Sequence, residues 1–293
     1  MGCTAHVVVT GGSPEDLART EAVLRRLERL WSRFLPDSDV SLLNRARGEA
    51  VTVQPETIRL FETAREGWSA TGGLFDPTVL PSVWSLGYRQ SLDAGENQVE
   101  ALVGARMAPG FDAITLDPRR STIRMARDVG FDPGAIGKGL AADMAVELLV
   151  GSGIPGALVG IGGDLRTAGA DPHGAGWSVA VEDPAEASLD IATLVLPDGG
   201  GIATSTAGHR RWLDAHGPVL HVIEPGTGSV VDTDAEAVTV VAASAWMAEV
   251  AATAALVAGV DAGSDLVGTL GLESVIVDSS HGVHHSPGLA VPV

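Results

Sequence analysis

The stretch Phe131–Leu165, FDPGAIGKGLAADMAVELLVGSGIPGALVGIGGDL, sets two glycine-rich turns on either side of one apolar segment of helical length. An aspartate lies near each turn, and the first turn carries a lysine. From Gly139 to Val150 the residues Leu140, Met144, Leu148 and Leu149 fall on one helical face, with Asp143 and Glu147 on the opposite side. GALVGIGGDL then reads as a buried strand ending in Gly162, Gly163 and Asp164. This is a helix lying on a sheet. Its start is unusual, because GAIGKG leaves backbone N–H groups at the positive end of the helix dipole with little side-chain bulk over them, and Lys138 adds a full charge. The Walker spacing is not met, since Gly139 stands where Ser or Thr would follow the lysine. A lone turn of this kind is more simply a tight turn; two about one helix suggest a diphosphate ligand.

Outward from this stretch the chain alternates short strands and helices. AHVVVTG reads as a strand, and the segment after it as a long helix capped by Ser13, with Pro14 in its first turn and an end at Pro36. Leu17, Leu24, Leu27, Trp31 and Phe34 give its apolar stripe. A second helix covers PETIRLFETAREGWSATGG, closing at Gly72 and Gly73. Residues 90–107 read as a loop, DAITLDPRRSTIRMA as a hairpin about Pro118, and the segments after Leu165 as strands joined by turns. No fixed-period repeat or linker divides the chain. The expected architecture is α+β, with helices packed on largely antiparallel sheets.

The 293 residues suffice for a large core or two interleaved subdomains, and 45% hydrophobic residues argue for a globular chain. Nineteen basic against thirty-seven acidic residues give a net charge of -18, which repels nucleic-acid phosphates and anionic lipid. Any anionic ligand must therefore be held by local groups or by a bound cation. The single cysteine, Cys3, has no internal disulfide partner. No signal peptide or lipoprotein signal is read at the start, so the expected location is cytoplasmic. The longest apolar run, AVTVVAASAWMAEVAATAALVAGV, has Glu249 near its middle. A central carboxylate costs about 2.5–3.5 kcal/mol on membrane insertion, so this run is expected to be a buried strand followed by a buried helix, with no membrane insertion.

Glu249 and Thr253 are four apart on that helix and share a face. A carboxylate in an apolar segment needs a partner, and a hard cation such as Mg²⁺ is a natural one; the alternative is a capped or snorkelling glutamate at the helix start. His221, in LHVIEPGTG, is by itself more simply a packed or surface strand histidine, and HGVHHSPG fits no closed zinc pattern and reads as a solvated turn.

Eight segments in order resemble the ApbE family of FAD:protein FMN transferases. MGCTAHVVV resembles its opening strand, LWSRFLPDSDVSLLN its S-x-Y/F-x-P-D-S-x-x-S-x-x-N segment, and GGLFDPTVLPSVWSLGY its G-x-F-D-P-T-V region. DPGAIGKGLAAD, GGDLRTAG, IATS, HVIEPGTG and AEVAATAAL match the remaining motifs. The resemblance implies a single ApbE-like domain over residues 1–293. It also implies an enzyme that uses FAD and Mg²⁺, moves FMN onto a Ser or Thr hydroxyl of an acceptor protein, and releases AMP. The acceptor would be an FMN-binding redox protein. By similarity Met1, Phe34, Leu74, Phe75, Asp76, Asp132, Lys138 and Ile223 line the FAD site, with Gly162, Gly163 and Asp164 near the diphosphate or adenosine. Glu249, Thr253 and the backbone oxygen of Ala135 would hold the metal, and His221 would act as general base. Glu249 stands where an aspartate is common, and Ala252 offers no second carboxylate. The alternatives are hydrolysis of FAD to FMN and AMP, and a non-catalytic FAD-binding protein.

Overall fold

The structure, a computed structural model, describes residues 3–85, 106–186, 188–207, 211–214, 217–220 and 222–289. Met1, His221 and most of the 90–107 segment lie outside the described residues. In chain order the elements are β1 (Ala5–Thr10), α1 (Pro14–Trp31), α2 (Asp39–Arg45), β2 (Ala50–Thr52), α3 (Pro55–Ala70), α4 (Leu80–Ser85), β3 (Ile114–Asp117) and β4 (Thr122–Met125). They continue with α5 (Gly137–Gly151), β5 (Gly156–Ile161), β6 (Asp164–Gly169), β7 (Trp177–Glu182), β8 (Asp190–Leu196), β9 (Gly199–Thr206), β10 (Arg211–Asp214) and β11 (Gly217–Leu220). The last are β12 (Ala235–Ala242), α6 (Ala245–Ala258), α7 (Val260–Thr269), β13 (Glu273–Asp278) and β14 (Val283–His285).

The fold is α+β with antiparallel sheets, and it forms two compact units that alternate along the chain. One unit contains Cys3–Leu24, Lys138–His209 and Thr233–Val293; the other contains Met1–Gly2, Arg25–Gly137 and Arg210–Asp232. In the first, the strands order as β1-β5-β6-β9-β12-β13-β14 among the described residues, each pair antiparallel. The long apolar run divides as its composition dictates. Its β-branched valines form β12 and its alanines form α6. Among the described residues no helix is long and apolar enough to cross a membrane.

The first turn of α6 fits between two glycines. A Cβ on Gly139 of α5 would lie 2.5 Å from the Ala245 carbonyl oxygen, and one on Gly201 of β9 would lie 2.3 Å from Ser244. Both contacts are with backbone, so neither position admits a side chain without moving the helix. Helix α5 does not have the two acids on one exposed side that its sequence suggests. Glu147 is exposed, but Asp143 is only 4% exposed, because its carboxylate is spent on the start of α6.

In the second unit β2, β4 and β3 form a small antiparallel sheet, and Phe61 of α3 stacks on Phe131 with ring centroids 3.9 Å apart. Asn44 of α2 holds the Phe131 backbone at both ends, donating to its carbonyl at 3.0 Å and accepting from its N–H at 2.7 Å. The chain thus enters Asp132 from a fixed point. Helix α1 is capped by Ser13 as expected, with Asp16 accepting in return from the Ser13 N–H at 2.9 Å. It stops at Trp31, before the expected end at Pro36. Leu35 precedes proline and disfavours helical backbone, and Ser38 begins α2 by accepting from the Ser41 N–H.

Candidate active site

Lys138 is the only lysine in the chain; its other basic residues are arginines. It sits in the first turn of α5, and its ammonium meets two carboxylates at once. Asp164 Oδ2 lies 2.7 Å from Nζ, and Glu249 Oε1 also pairs with it. The second Glu249 oxygen accepts the Gly139 N–H at 2.8 Å. Both carboxylate side chains are at most 4% exposed, and that of Lys138 is 15% exposed. The Glu249 partner left open by the sequence is therefore, in this structure, the start of α5. A protein carboxylate takes up the Gly139 amide that the sequence suggested for a ligand oxyanion.

Two acids share one ammonium in this buried cluster. Burial would lower the Lys138 ammonium, but Asp164 and Glu249 outweigh it and hold the lysine above its ordinary value. Burial raises the Glu249 carboxyl; Lys138 opposes that rise and Asp164 adds to it.

Asp164 is delivered by a two-residue hairpin. Ile161 and Asp164 pair across β5 and β6, and Gly162 and Gly163 make the turn with φ of 57° and 98°. Two successive positive φ values are what a type I′ hairpin needs, so turn geometry alone accounts for both glycines. Gly162 has a second constraint, since a Cβ there would lie 3.1 Å from Cys3 and 3.4 Å from the Lys138 stem.

Thr253, one turn beyond Glu249 on α6, shares a hydrogen bond of 3.1 Å with Ser205 of β9. Asp143 accepts from the N–H groups of Ala245 and Trp246, both at 2.9 Å, and pairs with Arg166 Nε at 3.1 Å. It serves as an N-terminal cap for α6, where Ser244 makes no side-chain cap. In the sequence Asp143 reads only as part of the polar side of α5 and Arg166 only as part of GGDLRTAG, and neither is among the candidate site residues. The available signal was an acid on a segment otherwise apolar on most sides. Among the described residues no three His, Cys, Asp or Glu side chains gather in a group able to hold a metal.

The other expected site residues belong to the second unit. Asp76 is 7% exposed, with Oδ1 accepting from the Thr78 N–H at 2.8 Å and hydroxyl at 2.6 Å, and Oδ2 from the Trp68 indole at 3.2 Å. Burial raises its carboxyl, against the pull of these three donors. Phe75 is buried and Leu74 half-buried. The Asp132 N–H donates to the Pro77 carbonyl at 2.8 Å, which ties the two aspartate segments together. Asp132 also accepts from the Gly134 N–H at 2.9 Å and pairs with Arg33 Nε at 3.3 Å. The Arg33 guanidinium lies 4.3 Å from the centre of the Phe34 ring, joining Phe34 to Asp132. Sequence reading passed over Arg33, whose neighbours Ser32 and Phe34 carried the motif. Ala135 is half-buried in the turn before α5, and Ile223 packs with Leu80, Val83 and Trp84. Met1 and His221 lie outside the described residues.

Comparison with known proteins gives these clusters a context. The family model described as "ApbE family" matches residues 1–276. A Rhodobacter capsulatus protein named FAD:protein FMN transferase is 30% identical over 280 residues, covering 92% of this chain and 52% of that protein. The chain therefore spans about half the length of that relative. An Escherichia coli K12 protein of the same name is 30% identical over 251 residues, covering 84% of this chain and 71% of its own. A crystal structure of the ApbE protein from Thermotoga maritima superposes with a TM-score of 0.83 at 25% identity, covering 96% of this chain and 92% of that one. The Vibrio cholerae flavin transferase ApbE shares the fold, with a TM-score of 0.78 at 22% identity over 98% of this chain and 94% of its own. Matched over nearly its whole length in sequence and in fold, the chain belongs to the ApbE family.

Proposed function

We propose that the chain is a Mg²⁺-dependent transferase that moves the FMN half of FAD onto a Ser or Thr hydroxyl of an acceptor protein, with release of AMP, the two units acting as one domain. The observation that carries this reading is the buried Lys138–Asp164–Glu249 cluster, in a chain whose family relatives are named for this reaction. A divalent cation of the Mg²⁺ type takes hard oxygen donors. Glu249 and Thr253 offer a carboxylate and a hydroxyl one helical turn apart, both hard oxygen donors, so the donor set fits in kind.

In the reaction the acceptor oxygen forms a bond to the FMN-side phosphorus, the bond from that phosphorus to the bridging oxygen breaks, and AMP leaves with that oxygen. The ion, when bound, supplies neutralisation of charge on the phosphates. Lys138 supplies a further positive charge for the diphosphate. Asp76 and Asp132, each fixed by several hydrogen bonds or an ion pair, would orient the flavin half. His221 would take the acceptor proton.

The test is to incubate the chain with FAD, Mg²⁺ and candidate acceptor proteins and to read acceptor mass. The expected result is a covalent FMN adduct that EDTA abolishes. Free FMN and AMP with no adduct would make the chain a hydrolase, and FAD left whole under all conditions would make it a binding protein.

A further inference from the structure

The cluster that supports the transferase reading has an unused property: its one ammonium stands against the carboxylate that reading assigns to the metal. Glu249 Oε1 pairs with Lys138 and Oε2 accepts from the Gly139 amide, so both of its oxygens are engaged within the protein. A divalent ion brought to Glu249 would meet a cation already in place, and like charges at that separation in a buried site repel strongly. If the lysine left with no new partner, a buried ammonium would lose both of its counter-ions. The exchange is favourable only when a second anion arrives to receive it.

Residue choice agrees with such a role. Where this chain uses a basic residue elsewhere it uses arginine. The guanidinium is a broad planar fork suited to fixed bidentate pairing, whereas an ammonium is a compact point charge on a flexible stem, closer in shape to a metal ion. The stem runs past Gly162, where the missing side chain leaves it room to lie: a Cβ there would sit 3.4 Å from Lys138 Cδ.

Resting on the transferase reading, we propose that Lys138 is a resident counter-ion that holds the Asp164–Glu249 pair in the metal-free protein. It passes from carboxylate to phosphate when Mg²⁺ and the dinucleotide bind together. The lysine thereby couples the two ligands: the ion alone binds poorly, and the diphosphate strengthens its binding by giving Lys138 somewhere to go.

Because the chain has one lysine, labelling with ¹⁵N-lysine yields a single side-chain ammonium signal to follow in the 293-residue chain. The expected result is no change on adding Mg²⁺ alone and a clear shift on adding Mg²⁺ with FAD, in the absence of acceptor. A full shift with Mg²⁺ alone overturns the proposal. So does an unmoved signal when calorimetry shows both ligands bound, an outcome that leaves the transferase reading intact. Failure of FAD to bind with Mg²⁺ overturns both. In parallel, Lys138→Met keeps the stem and removes the charge. Its affinity for Mn²⁺ without nucleotide should exceed that of the unmodified chain by about tenfold, within the usual range of coupling between two ligands. Equal affinities in the folded variant and the unmodified chain would sink the idea.

Discussion

At the scale of single residues, Asp76 shows how burial and hydrogen bonding compete over one proton. Its carboxyl is raised because burial outweighs the donors from Thr78 and Trp68. The folded chain therefore keeps this proton to a higher pH than the unfolded chain does. Whatever the group adds to stability is full below the unfolded carboxylate value and is lost as pH climbs through the raised one, a window beginning just above the ordinary carboxylate range. Asp76→Asn removes the titration. The amide oxygen still accepts the two Thr78 bonds, while its NH₂ group faces the Trp68 donor. The variant should be less stable than the unmodified chain at the acid end of the folded range, with the gap shrinking as pH rises toward neutrality. Urea unfolding of both proteins across this window checks it, and a gap independent of pH would show that Asp76 is not held protonated by its surroundings.

At the scale of elements, α5 holds α6 at two levels. Lys138 and Gly139 bind Glu249 in the body of α6, and one turn further along α5 Asp143 caps the N-terminus of α6. Replacing Asp143 by Asn leaves one of the two α6 amides facing another donor and weakens the Arg166 pairing. The expected cost is about 2 kcal/mol, with faster hydrogen exchange at the Ala245 and Trp246 amides. If stability and exchange were unchanged, packing against Gly201 would be what fixes the start of α6. These contacts also mark the limit of what the sequence disclosed. The valine-to-alanine change divided β12 from α6, and the paired glycines marked the β5–β6 turn, because each signal is local. Periodicity places Asp143 on the polar side of α5 because it carries no information on a helix end about a hundred residues away, where its partners lie. Glu249 in an apolar segment needs a partner, yet spacing along one helix cannot choose between a metal ion and a glutamate without one, and it gives no sign of Lys138, more than a hundred residues away.

At the scale of the whole molecule, the net charge of -18 sets a field against the substrate proposed for it. FAD carries a charged diphosphate, and its approach is opposed at long range before any local group can attract it. Lys138 offers little relief at a distance, being 15% exposed and paired with two acids. The usual salt effect on a charged ligand is therefore expected to reverse. Raising KCl from about 20 to about 150 mM shortens the screening length from roughly 20 Å to about 8 Å. With free Mg²⁺ held constant, this should speed FAD association several-fold by hiding the acidic surface. Stopped-flow measurement of flavin fluorescence on mixing with the chain reads this rate directly. A rate that falls as salt is added would mean that a local positive field dominates the approach despite the overall charge, and that capture begins at the arginines of the surface before the ligand reaches the Lys138 turn.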